Sequence, residues 1–317
     1  MTAMTEDLVL PVPEMLPAMY LVPVSMSRER AIGLAGTALA RRVAEPVRGL
    51  TRGLLGTPAL VVTPRRAAVS GEEVVAFAAL NPPRPGPVHE WVTRAAAAAF
   101  AAELGLPLID AFARQALTAA EALGTLPGAP RLSAVDGGFR LADWVQVREE
   151  EQRLTTHGLG RFGLPELRLD GVPPELHPWW TVALTALGNR LLELLRRELR
   201  RGAAAFVRVP ELIGIRRTDI GSAYGLTLAD AGEPVPVRLS LDPSVTDRLE
   251  SHLAVDPAEH RLTINRMLLA GAGTAIDTDP ATDADPATGG GAPRARRSRR
   301  AAAARRRDAA GPARPTW

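Results

Sequence analysis

What the 317 residues lack narrows the chemistry first. There is no cysteine, which excludes disulfides, thiolate metal ligands and a thiol nucleophile. There is no lysine: all 38 basic residues are arginines, so Schiff-base and amine general-base chemistry are excluded. Aromatics make up only 4% of the chain, with two tyrosines in all. No run of about 18 apolar residues occurs, so no membrane span is expected. Glu6 and Asp7 stand where a secretory leader carries basic residues, and the absence of cysteine agrees with a cytoplasmic setting, which is the expected localisation.

What is present is unevenly spread. Residues 272–317 hold nine arginines and five aspartates, a net of +4; residues 1–271 carry a net of −1. The basic pI of 10.3 therefore belongs to the tail. That tail, with Asp277, Asp279, Asp283 and Asp285 followed by a glycine run and Arg294 to Arg307, has no apolar period and is expected to be disordered. It could bind nucleic acid or an acidic surface weakly; a solubilising role is preferred.

The remainder reads as α+β. A strand is expected from Met19 to Val24, near an edge because of Pro23, then a helix capped by Ser27. Gly49 to Pro58 reads as a loop, Ala59 to Val62 as a buried strand and Gly71 to Leu80 as a short helix. The alanine-rich run Val88 to Leu104 should be a helix stopped by Gly105. Leu106 to Phe112 reads as a strand carrying Asp110, and Thr118 to Glu121 as a capping box. Leu126 to Gly138, rich in proline and glycine, is the expected boundary between an N-terminal βα-rich region, 1–126, and a second region, 139–271.

In the second region an antiparallel meander is expected from Leu141 to Leu169, followed by a long amphipathic helix, Pro178 to Arg201. Its apolar stripe is Trp180, Leu184, Leu187, Leu191 and Leu194, with Glu193 and Arg197 as an i,i+4 pair. Arg196, Arg197, Arg200 and Arg201 crowd its end, where the dipole favours cations; a solvated helix end is preferred over an anion site. Strands follow at Phe206 to Val209, Glu211 to Ile215 and Pro236 to Leu241. Short helices are expected after Thr218 and Ser244.

One stretch concentrates unusual residues: Thr155-Thr156-His157-Gly158-Leu159-Gly160-Arg161-Phe162-Gly163-Leu164-Pro165-Glu166. Its G-x-G-x-x-G spelling lacks the helix that a dinucleotide site requires, since an extended run follows. Gly158, Gly160, Gly163 and Arg161 are the candidates for anion binding, through a nest of backbone N–H groups and a guanidinium. His157, Glu166 and Asp110 are the candidate catalytic groups. A clasp between Arg161 and Glu166 is the competing structural reading. The five histidines show no metal spacing, and H-E-x-x-H fails at Thr93; no metal and no cofactor are expected.

The residues Thr155, Thr156, His157, Gly158, Leu159, Arg161, Gly163, Glu166 and Leu167 resemble a motif of bacterial proteins classed as domains of unknown function. The likeness covers about fifteen residues and departs at Arg168, where an acid would follow Leu167. It implies a family-defining loop and no activity. The leading expectation is a binding or interaction protein, taking an unidentified protein or a small anionic ligand. The alternatives are a hydrolase or transferase with an anion-binding loop at His157 and Arg161, and a nucleic-acid-associated protein acting through its arginine-rich tail.

Overall fold

Ser27 opens the first helix as its sequence predicts: extended backbone, with the hydroxyl accepting from the Arg30 amide. Local signals of this kind place several elements of the computed structural model. It describes residues 7–12, 14–67, 71–81, 88–127, 139–202, 206–228, 233–242, 250–254 and 259–264, all within the unit Met1–Ile276. The predicted tail, the predicted boundary from residue 128 onward and the helix expected at Ser244 lie outside the described residues.

The first described strand, β1 (Asp7–Pro11), meets its partner much later in the chain. Then come β2 (Leu16–Val22), α1 (Arg28–Arg42), α2 (Val47–Leu54), β3 (Val61–Arg66), β4 (Glu73–Asn81), α3 (Val88–Leu104), β5 (Leu108–Asp110), β6 (Gln115–Leu117) and α4 (Ala119–Gly124). The strands form an antiparallel sheet in the order β3-β4-β2-β5-β6. Leu16, Ala18, Tyr20 and Val22 alternate inward along β2. Helix α3 packs against β2 and β4 and is also covered by α1, α2 and α4. Its alanines, buried from Ala95 to Ala99, allow that close approach on all sides.

The second half comprises β7 (Gln146–Glu150), β8 (Arg153–His157), β9 (Glu166–Asp170), α5 (His177–Arg200), β10 (Phe206–Pro210), β11 (Leu212–Ile215), α6 (Arg217–Tyr224), β12 (Val235–Asp242), β13 (Glu250–Ala254) and α7 (His260–Ile264). Six strands lie in the order β11-β12-β13-β9-β8-β7, with β13–β9 the parallel pair. β1 pairs with β10. The fold is mixed α+β, with the predicted long helix in place and the predicted meander starting at Gln146 rather than Leu141, since Leu141–Asp143 forms a 3-10 turn.

Helix α5 buries Trp180, Leu184, Leu187 and Leu191, and Trp180 meets the His260 ring edge-on at 5.4 Å. Leu187 has no exposed surface. Leu187→Ala is therefore expected to cost about 2–5 kcal/mol of unfolding free energy, measured by chemical denaturation. A change within about 0.5 kcal/mol would place Leu187 on the surface.

Several expectations are corrected. Residues 73–81 form a strand rather than a helix, because Val74, Val75 and Phe77 suit a strand enclosed between β3 and β2. Residues 47–54 form a helix rather than a loop, with Val47 and Thr51 buried one turn apart. β2 is central, not at an edge: Pro23 lies beyond its last paired residue. β3, expected to be buried, is one of the two edge strands and is mostly exposed. Thr218 lies inside α6, whose N-cap is Arg216. Glu193 bonds Asn189 and Arg190 rather than Arg197.

Candidate functional site

The glycine stretch leaves β8 at His157 and enters β9 at Glu166. Gly158 takes φ 117°, Leu159–Phe162 make one 3-10 turn, and Gly163 takes φ 76°. The turn is too short and tight to offer a helix N-terminus. The amides of Gly158, Leu159 and Gly160 form a nest whose occupant is the chain's own Glu166, while the Gly163 amide, also a candidate, donates to the Gly160 carbonyl instead. That carboxylate accepts from the amides of Gly158 at 2.9 Å, Leu159 at 3.2 Å and Gly160 at 3.1 Å, and from the Thr156 hydroxyl at 3.0 Å. Burial pushes the Glu166 carboxyl above its usual range, while these four donors pull it back.

Arg161 turns away from Glu166, so the predicted clasp between them is replaced by two separate locks. Its Nη1 donates to the Tyr20 hydroxyl at 3.1 Å and to Glu90 at 3.2 Å; its Nη2 donates to Asp110. Arg94 completes the cluster. It donates to Tyr20 at 3.0 Å and to Asp110 at 3.1 Å, with its guanidinium 3.4 Å from the centre of the Trp144 ring. The Tyr20 oxygen thus accepts from both arginines and donates to Glu90 at 2.9 Å, which uses its full capacity. All five side chains are buried.

The charges in this cluster balance: two guanidiniums face two carboxylates. For Asp110, burial pushes the pKa up, but Arg161 and Arg94 outweigh it and hold the carboxyl below the usual aspartate range. For Glu90, burial wins over Arg161, and the carboxyl sits above its usual range. Among the described residues, Oε2 of Glu90 is hydrogen-bonded and Oε1 finds no partner. Burial, reinforced by Glu90, also lifts the Tyr20 hydroxyl well above its usual value.

Of the predicted site residues, Arg161 and Asp110 are brought together, and Glu166 is joined to Gly158 and Gly160. His157 is buried at the end of β8, in register with Gln146. Sequence reasoning missed Tyr20, Arg94 and Trp144. The signal was there in part. Arg94 and Glu90 are charged residues within an alanine-rich helix, and Tyr20 is one of two tyrosines.

Two clefts stand out, and neither is lined by His157, Asp110, Arg161 or Glu166. The larger, about 1000 Å³, lies beside the C-terminal end of α5 and carries Arg140, Arg196, Arg197, Arg200 and Arg201 against one acid, Glu193. Among the described residues no group of three or more acids and histidines could hold a metal ion. No described helix is long and apolar enough to cross a membrane. No family model, curated protein or solved structure matches the chain.

Proposed function

We propose that this is a non-enzymatic binding protein, whose glycine stretch fastens the fold and whose ligand is met elsewhere on the surface. The observation that supports this most is the engagement of the ionisable groups that the stretch offers for chemistry. Glu166 is consumed by four donors, and Arg161 by Tyr20, Glu90 and Asp110. A hydrolase or transferase built on the loop would need those amides and that guanidinium for its substrate. Groups held in buried, charge-paired networks of this kind fasten the elements they join rather than meeting a substrate.

The full chain should hydrolyse p-nitrophenyl phosphate and p-nitrophenyl acetate no faster than its Glu166→Gln variant. Turnover that falls at least tenfold in a folded Glu166→Gln protein would overturn the proposal. If that variant does not fold, His157→Asn makes the same comparison, and a tenfold loss there would overturn the proposal equally.

A further inference from the structure

The geometry points to the arginine cleft as a binding site for a small phosphorylated polyol, such as a sugar phosphate. This rests on the binding-protein reading and names the ligand class. Three features support it.

The first is surplus charge. Arg140 is paired with Asp143 at 2.9 Å, and Arg201 with Glu198 at 2.6 Å. Glu193 is paired with Arg190 at 3.4 Å. Arg197 and Arg200 line the same cleft, and among the described residues neither meets a carboxylate within ion-pair distance. They sit one turn apart on α5, where side chains are neighbours. Two guanidiniums so placed match the roughly two negative charges of a phosphate monoester, which arginine binds in fork geometry. The carbonyls of the last α5 turn do not oppose an anion strongly, because those of Arg197, Glu198 and Leu199 are capped by the Arg201 and Gly202 amides.

The second is the floor. The Asn189 amide donates to the Ser222 hydroxyl at 3.2 Å, tying α5 to α6. Ser222 accepts that bond, which leaves its own proton to donate. Such neutral polar groups suit the hydroxyls of a polyol.

The third is the missing aromatic face. Phe139 lines the cleft, but its ring is stacked on Trp144 at 6.1 Å and covered by the Arg196 guanidinium at 4.7 Å. It has no face to give a nucleobase. Arg196 itself is only 6% exposed, so it reinforces the wall rather than reaching outward. The volume, about 1000 Å³, lies at the upper end of the range for small-ligand sites.

The test is titration calorimetry and thermal shift on the full chain, with glucose 6-phosphate and ribose 5-phosphate as probes. Glucose and a thymidine oligonucleotide serve as comparisons. At least one sugar phosphate should bind and raise the melting temperature, and glucose should do neither. The double variant Arg197→Gln, Arg200→Gln should bind that sugar phosphate at least tenfold more weakly, with its ligand-free melting temperature unchanged. A tail variant, Arg305→Gln, Arg306→Gln, Arg307→Gln, should bind as the parent does.

The inference is overturned if neither sugar phosphate binds, or if the tail variant rather than the cleft variant loses binding. It is overturned too if the oligonucleotide binds through Arg197 and Arg200 while the sugar phosphates do not. Release of inorganic phosphate from a bound sugar phosphate would overturn the binding-protein reading alone and leave the cleft standing.

Discussion

Arg161→Ala is expected to destabilise the protein by about 3–5 kcal/mol, the range for removing one partner from a buried ion pair. The side chain is fully buried and, among the described residues, is the only cation that bonds Glu90. Its loss strands Glu90 without a cationic partner and leaves Asp110 with Arg94 and the Phe112 and Ala113 amides. The cost should therefore come from uncompensated charge more than from lost packing. Arg161→Met, which keeps much of the volume, should recover little. Chemical denaturation of both variants checks this. A loss below about 1 kcal/mol in Arg161→Ala would mean that the cluster is solvated and weak, as exposed pairs are.

The second large effect is expected at Gly158. Its φ of 117° lies where side chains are strained, and a Cβ there would stand 2.5 Å from the Trp144 carbonyl oxygen. Strained backbone and overpacking each cost about 1–3 kcal/mol, so Gly158→Ala should lose about 2–6 kcal/mol. The obstacle is backbone, not a flexible side-chain tip, so relaxation is limited. Gly33, inside α1 with nothing within 4 Å of its Cβ position, is the control. Gly33→Ala should gain up to about 1 kcal/mol. Equal melting temperatures for the two variants would contradict the geometry.

Local signals made much of the fold legible. Ser27, Gly105 and the Thr118–Glu121 box mark helix ends through contacts within a few residues, and the stripe of α5 repeats at helical spacing. The errors fell where non-local packing decides. Val74 to Ala79 has no period that separates strand from helix until β3 and β2 enclose it. β1 ends on Pro11, which obscures it in the sequence, and it pairs with β10 about 200 residues later.

The site was legible as a place but not as an arrangement. Glycine density located the turn, yet nothing local says that its N–H groups would meet Glu166. Arg161 finds Tyr20, Glu90 and Asp110 at separations of 141, 71 and 51 residues. Such contacts follow from how the sheets and α3 come together. Helical spacing alone marks the arginines ending α5 as a solvated helix end. The cleft that gathers them beside α6 is a tertiary feature, which periodicity cannot reveal.

The central claim is that Arg161 fastens the glycine stretch to α3 and β5. A double-mutant cycle between Arg161→Met and Asp110→Asn, followed by urea denaturation, measures this most directly. The two residues are 51 positions apart and share a buried hydrogen bond, so coupling of about 1–3 kcal/mol is predicted. Additivity within about 0.3–0.5 kcal/mol, the behaviour of independent sites, would contradict the account.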